Sequence, residues 1–424
     1  MHNPKKFWGT IGAMLAFGVL CLVAARADDS VVSAQAGPVR RIVAFKDAVS
    51  AADKVSIAEA SGGQVIRTLE LINAVVVEMP AADARIADSM LKSRPEVLRV
   101  DEDPKINWLK AVSAPSSENV FPDIHAIIQP FKLAHPHKAA DAPLPWGITR
   151  VNAQGAWGKT QGAGVKVVVI DTGIDYNHAD LKPIIKGGYN VITKTADFMD
   201  DHGHGTHCSG TIAGQGQVIN GTAIWGVAPK VDLYGVKVLD ANGSGTFDDV
   251  IAGMQWAVTN HMDVASMSLG ASQGNPSLEA AVKAMKDNGV ALIAAAGNSG
   301  GDGTTDTVGY PAHYDGAIAI AASDSSDQVA DFSSRGPDVA LIGPGVDVLS
   351  LAPGGGTATM SGTSMATPHN AGLAALAIAS GAHGYAAVRA AMTSAAGKLK
   401  DASGQPWAAN LQGAGLVDAA KLTK

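Results

Sequence analysis

Beyond residue 166 the chain alternates short apolar runs with amphipathic stretches. Between Thr246 and Asn260 apolar residues recur at helical spacing, and Thr246 and Asp249 form a capping pair, which predicts an amphipathic helix. Asn275, Pro276 and Gly289 mark the cap, the first turn and the end of another helix. Five apolar runs predict strands, at residues 167–170, 231–238, 264–269, 290–296 and 317–321. Repeated β-α-β units predict an α/β fold, with a mostly parallel, doubly wound sheet flanked by helices.

A different pattern comes before it, from about residue 40 to residue 103. It predicts strands at 41–45 and 97–100, two strands around a bend within 64–79, and helices at 49–60 and 81–91. The order β-α-β-β-α-β is that of a small α+β domain of ferredoxin-like topology.

The N-terminus has the features of an export signal. Lys5 and Lys6 precede an apolar run from Phe7 to Ala25, and Ala25-Arg26-Ala27 offers small residues at the spacing for cleavage. We expect residues 1–27 to be a signal peptide and the protein to be secreted, to the periplasm or the medium. It would then meet the membrane only through this segment before cleavage, and an uncleaved anchor is the alternative. Residues 106–142 lose periodicity and carry scattered Pro, Ser and His, which predicts a linker.

Composition narrows the classes of function. The chain has 424 residues, too many for one average domain, and a formal net charge of -7. Because it has no block of basic residues, we expect no nucleic-acid partner. Of its two cysteines, Cys21 lies in the signal segment, which leaves Cys208 alone. An exported protein with one thiol forms no internal disulfide.

Three polar residues lie in separate Gly-rich contexts: Asp171 in VVVIDTGID, His204 in HGHGTHCSGTIAG and Ser364 in GTSMATPHNAG. Asp171 follows a β-branched run, so it would end a buried parallel strand, where open α/β sheets bind ligands. Ser364 precedes an apolar stretch from Met365 to Ala379, so its hydroxyl would lie at a helix N-terminus beside free N–H groups. A serine hydroxyl becomes nucleophilic when an imidazole takes its proton and a carboxylate orients that imidazole. The acid, base and nucleophile in this order predict a serine hydrolase.

These contexts, together with Asn298 in VALIAAAGNSG, resemble those of the subtilisin-like serine proteases. The resemblance implies that Ser364 attacks, His204 serves as base and then acid, Asp171 orients it, and Asn298 donates its amide to the oxyanion. It implies a secreted serine endopeptidase that hydrolyses protein or peptide substrates through an acyl-enzyme and is a monomer when mature. A catalytically silent binding protein on the same fold is the alternative.

The N-terminal pattern carries its own resemblance. RRIVAFK, INAVVVEMP and VLRVDED resemble the inhibitor-type propeptide of these proteases, and PLPWGITRVNAQGAW resembles the start of their catalytic domain. This implies a propeptide at 38–105, a linker with the maturation cleavage at 106–142 and a catalytic domain at 143–424. The chain would then be a self-processing precursor whose propeptide is an intramolecular inhibitor. A small independent binding module is the alternative for the first domain.

The resemblance also places the substrate cleft. An extended peptide would add as a strand between two segments, Ser268-Leu269-Gly270 and Gly243-Ser244-Gly245. A plain turn before a capped helix is the alternative for the second. The first specificity pocket would lie between Ser268 to Gly270 and Ala295-Ala296-Gly297, with Ser299 and Gly309 near its floor. None of these residues is charged, so we expect a preference for large apolar or aromatic side chains.

By the same resemblance, the chain would bind Ca²⁺ as a structural ion. Asp180 in DTGIDYNHADL and Asn220 in VINGTAIWGVAP would be ligands, since calcium prefers oxygen donors. Two features depart from the family: the loop before Asn220 is longer, and Ala142 stands where the family has a Gln ligand.

A cluster of histidines with a cysteine is typical of zinc sites, so zinc is a second candidate metal. His202, His204, His207 and Cys208 lie close together, but no second Cys or His group stands at a zinc-motif spacing, so we favour hydrogen-bonding roles for His202 and His207. Cys208 follows His204 by four residues and would share a helix face with it, close to the imidazole and buried as a packing residue.

Asn370 stands where the family has an aliphatic residue. A buried amide there needs partners that the sequence does not identify.

Overall fold

A nine-stranded sheet forms the centre of the larger part of the protein. The computed structural model describes residues 37–110 and 142–423. The predicted signal segment and residues 111–141 of the predicted linker lie outside the described residues. Residues 39–102 are called the N-terminal domain below, residues 103–110 the tail, and residues 142–423 the large domain.

The elements of the N-terminal domain and tail are β1 (Val39–Phe45), α1 (Ala51–Glu59), β2 (Gln64–Leu69), β3 (Ala74–Met79), α2 (Ala84–Lys92), β4 (Val97–Glu102) and β5 (Lys105–Asn107). The strands of the large domain are β6 (Lys166–Asp171), β7 (Ile185–Asn190), β8 (Gln215–Ile219), β9 (Thr222–Trp225), β10 (Asp232–Lys237), β11 (Ser244–Thr246), β12 (Val264–Met267), β13 (Ala291–Ala295), β14 (Ala317–Ser323), β15 (Val339–Pro344), β16 (Val348–Ala352), β17 (Gly356–Met360), β18 (Ala396–Gly397) and β19 (Leu416–Val417). Its helices are α3 (Trp146–Arg150), α4 (Ala153–Trp157), α5 (His204–Ala213), α6 (Phe247–Thr259), α7 (Pro276–Asp287), α8 (Thr363–Ala379), α9 (Gly384–Ala395), α10 (Ala409–Gln412) and α11 (Ala419–Leu422).

The central sheet has the strand order β18-β19-β15-β14-β13-β12-β6-β10-β7. Every neighbouring pair from β7 to β19 is parallel, and the edge strand β18 alone is antiparallel to its neighbour. Helices flank the sheet, α8 against β12 to β15, and α6 and α7 against β6, β10 and β13. The predicted α/β fold is therefore confirmed.

Local sequence explains where the helices begin. Thr246 caps α6 in a capping box with Asp249, and the Asn275 side chain accepts from the amides of Ser277 and Leu278 at the start of α7. All of α8 except its last residue is buried. A helix that is apolar or small on every side belongs in the core, which is why α8 shows no amphipathic pattern.

The four-stranded antiparallel sheet of the N-terminal domain, ordered β2-β3-β1-β4, is covered on both faces. On β1, Val43 and Phe45 pack with the helices of the domain, whereas Ile42 and Ala44 belong to the core of the large domain. Because side chains alternate between the faces of a strand, this burial on both sides accounts for the unbroken apolar run of β3. The predicted β-α-β-β-α-β order is confirmed.

The tail differs from the expectation that the chain becomes a linker at residue 106. Lys105–Asn107 form strand β5, which pairs antiparallel with β11 of the large domain, and Trp108 is buried. These residues are held by hydrogen bonds to the large domain, so any unstructured connection starts beyond them. The domain boundaries themselves stay predictions.

Within residues 37–110 and 142–423, no single helix is both long and apolar enough to cross a membrane. One pair, α8 with α9, passes the test of length and composition together but is bent by 107°.

Candidate active site

Asp171 and His204 meet at the carboxyl edge of the central sheet. Asp171 is the last residue of β6, which lies between β10 and β12 in the sheet. The strands that precede β12 in the chain, β7 and β10, lie on one side of β6, and β12 to β15 lie on the other, so the strand order reverses at β6. Open α/β sheets bind their ligands at such a switch point. Nδ1 of His204 lies 2.8 and 3.0 Å from the two carboxylate oxygens of Asp171, and both side chains are buried. The carboxylate therefore fixes the orientation of the imidazole and leaves Nε2 to act on another group.

The electrostatic surroundings favour a positive charge on His204. Burial by itself lowers the pKa of His204, but the charge of Asp171 and its hydrogen bond outweigh this and raise the pKa well above its usual value. In the described part of the chain, Nε2 of His204 has no hydrogen-bond partner. An imidazole with one nitrogen held by a carboxylate and the other unpaired is suited to take a proton.

The helix that carries His204 is capped by a residue that sequence reasoning missed. His204 is the first residue of α5, whose N-cap, Gly203, has no side chain to offer. The carboxylate of Asp200 accepts from the amides of Gly203 (2.8 Å) and Thr206 (2.9 Å), and also from the hydroxyl of Thr172 (2.9 Å). Asp200 thus joins the start of α5 to the turn after Asp171 and fixes Asp171 and His204 relative to each other. Asp200 lies four residues before the start of α5, whereas a capping side chain normally belongs to the residue directly before the helix. Its sequence signal is therefore weak.

Ser364 lies in the first turn of α8, and the thiol of Cys208 contacts both its backbone carbonyl and the ring of His204. Pro368 has no N–H, so the carbonyl of Ser364, four residues earlier, lacks its helical partner. That carbonyl instead accepts from the hydroxyl of Ser268 at 2.9 Å and from the thiol of Cys208 at 3.7 Å. The hydroxyl of Ser364 donates to the carbonyl of Ser268 at 3.1 Å. Pro368 therefore frees the carbonyl of Ser364 for hydrogen bonds from the residue after β12 and from α5.

Asn298 contributes an amide N–H that has no partner. Its side-chain oxygen accepts from the backbone N–H of Thr363 at 3.0 Å and from the hydroxyl of Thr363 at 2.9 Å. These two donors fix which end of the amide is oxygen, because only an oxygen can accept from the backbone N–H. Nδ2 is buried and makes no hydrogen bond to residues 37–110 or 142–423. Because Thr363 directly precedes Ser364, this unpaired donor lies near Ser364.

His207 and Cys208, the other candidate metal ligands of α5, have contacts of their own. Nε2 of His207 lies 3.0 Å from the carbonyl oxygen of Val348 and 3.1 Å from that of Ala358, and burial lowers the pKa of His207 to about 3. Cys208 is buried with its sulfur 4.0 Å from Nδ1 of His204, and burial raises the pKa of its thiol. A buried, protonated thiol is unreactive, so Cys208 packs beside the imidazole as expected.

The tail lies as a strand between the two segments expected to form the substrate cleft. Trp108 donates its backbone N–H to the carbonyl of Gly243 (2.9 Å), and its own carbonyl accepts from the N–H of Gly270 (2.9 Å). Its indole N–H donates to the carbonyl of Gly245 at 3.0 Å, and its ring packs edge-on against Phe247 at 4.9 Å between centroids. The cleft can thus hold an extended peptide by backbone hydrogen bonds, and in this structure that peptide is the protein's own tail.

Backbone hydrogen bonds hold the end of β13, one wall of the predicted specificity pocket. The carbonyl of Ala296 accepts from the N–H of Gly309 at 2.8 Å, and the carbonyl of Gly297 accepts from the N–H of Ser334 at 2.8 Å. Gly297 has φ of 112°, and a Cβ there would lie 2.8 Å from the Ser334 hydroxyl, so only glycine fits this turn. Ser299, also expected near the floor, is exposed.

The residues expected to bind calcium do not form a ligand cage. Asp180 is fully buried, and its two oxygens accept from the backbone amides of Gln215 and Gln217, both at 2.9 Å. Asn220 is exposed at the tip of the β8–β9 hairpin, with φ of 50° and Gly221 following it at 84°, as in a tight two-residue turn. Asp180 therefore anchors the hairpin directly, and these two residues do not fit a shared calcium site.

Two further residues gain a structural explanation. Lys237 is buried at the end of β10, and its ammonium group donates to the carbonyls of Thr172 (2.8 Å) and Leu239 (2.7 Å), next to Asp171. Asn370 is fully buried, and its amide N–H donates to the carbonyl of Ala366 at 3.1 Å, one helical turn earlier. Its side-chain oxygen has no hydrogen-bond partner among the described residues, so this contact explains only one end of the amide. Neither contact has a signal in the sequence, since Lys in a strand and Asn in a helix are usually exposed.

Comparisons with known proteins agree with this geometry. A model of the subtilase family matches residues 162–415, and a model of the fervidolysin N-terminal prodomain matches residues 41–100. Subtilisin E of Bacillus subtilis (strain 168) is 38% identical over 341 residues, 79% of this chain and 79% of the relative. Alkaline elastase YaB of Bacillus sp. (strain YaB) is 47% identical over 234 residues, 55% of this chain and 59% of the relative. Subtilisin DY of Bacillus licheniformis is 44% identical over 238 residues, 55% of this chain and 84% of the relative.

Proposed function

Because the chain belongs to the subtilase family, as a serine endopeptidase with an N-terminal prodomain, we propose that it cleaves peptide bonds through Ser364, His204 and Asp171, with Asn298 as oxyanion donor. The observation that carries this assignment is the buried, unpaired amide N–H of Asn298 beside Ser364. A buried donor without a partner costs stability, and a role in the reaction explains why it is retained.

In the first half of the reaction, the hydroxyl of Ser364 leaves the carbonyl of Ser268 and turns to the unpaired Nε2 of His204. As its oxygen attacks the substrate carbonyl, Nε2 takes the proton, and the imidazolium is stabilised by the carboxylate of Asp171. The C–N bond then breaks, and the leaving amine takes that proton from His204, which leaves an acyl-enzyme on Ser364. A water activated by His204 hydrolyses the ester and regenerates the hydroxyl.

The oxyanion of each tetrahedral intermediate forms where the amide of Asn298 can donate to it. Thr363 already holds the oxygen of this side chain, so Nδ2 needs no reorganisation when charge develops. A preorganised donor of this kind lowers the barrier by about 3 to 4 kcal/mol, a magnitude measured in subtilisin. The start of α8 adds backbone N–H groups near the same position.

The docked tail supports autoinhibition by the prodomain. It occupies the groove between Gly243–Gly245 and Gly270 in the way that we propose for substrates. We assign residues 38–105 to the propeptide, 106–142 to the connection cut during maturation and 143–424 to the catalytic domain. Docking of Trp108 in this groove supports inhibition until the prodomain is removed, and we propose that the chain is cut by its own active site during maturation.

Substrates would bind by the same backbone pattern, between Ser268 to Gly270 and Gly243 to Gly245. Their first specificity pocket would be formed by the end of β13, residues 295–297, with Ser299 and Gly309 nearby. The absence of charge in these residues favours large apolar side chains before the scissile bond. Residues 1–27 would direct secretion and be removed, and the mature enzyme would act as a monomer.

Calcium has no place in this mechanism. Asp180 and Asn220 do not fit a common ligand set, and the buried carboxylate of Asp180 is already held by two amides. The calcium expectation is untested, and these contacts favour a direct structural role for Asp180, which substitution at Asp180 with and without a chelator can test.

The direct test is casein hydrolysis by the purified protein, with and without a serine-directed phosphonate, alongside the Ser364→Ala variant. We expect the phosphonate to inactivate the protein, and the variant to lose activity by about a million-fold, as in subtilisin, and to accumulate as the full-length precursor. A variant that cleaves casein normally would remove Ser364 from the mechanism. A protein that folds but never cleaves any substrate would instead support the silent binding protein.

A further inference from the structure

Outside the active site, two carboxylates and an imidazole from three separate segments point at one another. They belong to Asp306, in the loop that runs from Asn298 to the pocket residue Gly309, to His313, in the turn after that loop, and to Asp338, which directly precedes β15. One donor atom from each lies within 4.8 Å of the others. Nδ1 of His313 is 3.0 Å from Oδ2 of Asp338 and 3.7 Å from Oδ2 of Asp306.

The two distances to His313 are close to the edge length of a metal polyhedron. With ligand bonds of about 2.0 to 2.1 Å, neighbouring donors in tetrahedral coordination lie about 3.3 to 3.4 Å apart, and the two measured separations bracket that value. Nδ1 of His313 has no hydrogen bond of normal geometry among the described residues, although it is shielded from solvent. The side chains are about one-third exposed, so water can complete the coordination.

The surrounding backbone holds the three donors in place without a metal. Oδ1 of Asp306 accepts from the N–H of Val308 at 3.0 Å, which directs Oδ2 toward His313. A Cβ at Gly336 would lie 2.2 Å from Oδ1 of Asp306, so a glycine is needed for this approach. Such supporting contacts to a ligand's second oxygen are typical of metal sites.

The loop and the segment before β15 are also tied by their backbones. Thr307 donates its N–H to the carbonyl of Arg335 at 2.8 Å and accepts from the N–H of Arg335 through its hydroxyl at 2.9 Å. The ring of His313 packs against Tyr310 at 4.9 Å between centroids, which restricts its rotation. The donors are therefore preorganised rather than brought together by chance rotamers.

The geometry points to a site for a zinc-class divalent transition metal on Asp306, His313 and Asp338, completed by water, that ties the pocket loop 299–309 to residues 335–338. An imidazole with two carboxylates suits Zn²⁺, Co²⁺ or Ni²⁺, whereas Ca²⁺ and Mg²⁺ prefer oxygen donors alone. The metal would have a structural role, since it ties the loop that forms one wall of the proposed specificity pocket to a second segment.

Binding can be measured without turnover, so the result does not depend on the proposed peptidase mechanism. The background is the full chain with Ser364→Ala, which prevents self-cleavage, and Cys208→Ala, which removes the thiol of a second donor group formed with Asp171 and His204. After removal of metal with a chelator, Zn²⁺ is titrated by calorimetry, and Co²⁺ is followed by its visible absorption. His313→Ala and Asp338→Asn are compared with His383→Ala, which removes an exposed histidine elsewhere.

We expect His313→Ala and Asp338→Asn each to bind one equivalent of Zn²⁺ fewer, or to bind it with an affinity lowered by more than about 100-fold. Loss of a contact that only supports a ligand lowers the affinity by about 10- to 100-fold, so a larger effect identifies a ligand. His383→Ala should bind as the background does, and the Co²⁺ spectrum should lack thiolate charge-transfer bands. Hydrogen exchange in residues 300–308 should slow with Zn²⁺ in the background alone. Equal Zn²⁺ binding by both variants and the background, displacement of Zn²⁺ by equimolar Ca²⁺, or unchanged exchange in the loop would overturn the proposal. Circular dichroism establishes that each variant is folded, and two variants at different positions guard against the failure of one.

Discussion

Substituting Asp103 by Asn tests how the N-terminal domain is held on the large domain. Asp103 is 3% exposed at the interface, where Oδ1 accepts from the backbone N–H of Asp248 at 2.9 Å and Oδ2 lies 3.1 Å from Nε of Arg40. Arg40 also contacts the Asp248 carboxylate at 2.6 Å, and Arg67 contacts Asp248 and, at 2.8 Å, Asp249. Three carboxylates thus face two guanidinium groups.

The cluster therefore has one more carboxylate than guanidinium groups, so Asp103 shares its counterion, Arg40, with Asp248. Burial and, next, the charge of Asp248 raise the pKa of Asp103 to about 8, although Arg40 acts in the opposite direction. The unfolded chain has an ordinary aspartate pKa near 3.9, so between about pH 4 and pH 8 the folded chain holds a proton that the unfolded chain has released. Folding is therefore favoured at low pH and loses this contribution as pH rises, by about 1.4 kcal/mol per pH unit in this window.

Asparagine keeps the acceptor for the Asp248 amide and resembles the protonated acid, so Asp103→Asn should remove that slope. In the Ser364→Ala full chain, urea unfolding at pH 5, 6, 7 and 8 gives the free energy of unfolding with both domains on one chain. From pH 5 to pH 7 we expect the parent to lose about 3 kcal/mol more than the Asp103→Asn chain, with the variant the more stable of the two at pH 8.

The matched control is Asp88→Asn, which removes a carboxylate paired with Arg41 at 3.0 Å on α2, away from this interface. It should shift stability by a small, constant amount, because a partly exposed ion pair contributes at most about 1 kcal/mol. If the Asp103→Asn chain and its parent show parallel pH profiles, the charge count at this interface does not govern docking and the reasoning is refuted.

Four further predictions address the site and the core. Asn298→Ala should lower kcat on peptide substrates by about 100- to 1,000-fold with little change in KM, and an effect confined to KM would make Asn298 a binding residue only. Peptide p-nitroanilides with Phe or Leu before the cut should be hydrolysed far faster than those with Arg or Asp, and a preference for Arg would reveal a carboxylate in the pocket. Burial lowers the pKa of His369 from 6.5 to about 4, so on acidification the unfolded chain takes up a proton before the folded chain does. His369 should therefore reduce the free energy of unfolding of the Ser364→Ala chain by about 3 kcal/mol as pH falls from 6.5 to 4. His369→Gln should remove that contribution, and an acid profile unchanged by the substitution would argue against it. Asp180→Ala should lower Tm equally in CaCl2 and in EGTA, because its carboxylate holds two amides, whereas a drop seen only in CaCl2 would restore calcium to that residue.

The elements themselves were predictable because their signals are local. The capping box of Thr246 and the Asn275-Pro276 start of α7 depend on residues three or fewer apart, and the structure has both. The burial of β6 followed from a run of β-branched residues. The tail was misjudged as linker from residue 106, because a short strand that pairs only with a distant segment has no periodicity of its own.

For the site, the residue types came from the sequence and their partners from packing. The contexts around Asp171, His204, Ser364 and Asn298 led to proposed roles, since each lies in a distinctive local motif. The sequence predicted that Asp180 and Asn220 bind calcium, but the structure has a β-hairpin whose tight turn exposes Asn220 to solvent. The loop before Asn220 is longer than in the family, so the family pattern does not specify its conformation.

The sequence alone therefore determined the α/β architecture, the small α+β domain before it and the polar residues from which the chemistry is proposed, because periodicity, caps and motifs are encoded within a few residues. Only the tertiary structure decided which polar atoms were left unpaired. Thr363 takes one end of the Asn298 amide and leaves the other, and Pro368 frees a carbonyl that Ser268 and Cys208 then hold. The carboxylates around Asp103 and the donors around His313 likewise come from segments far apart in the chain, and their separations of about 3 Å are set by the packing of whole elements, which no local pattern records.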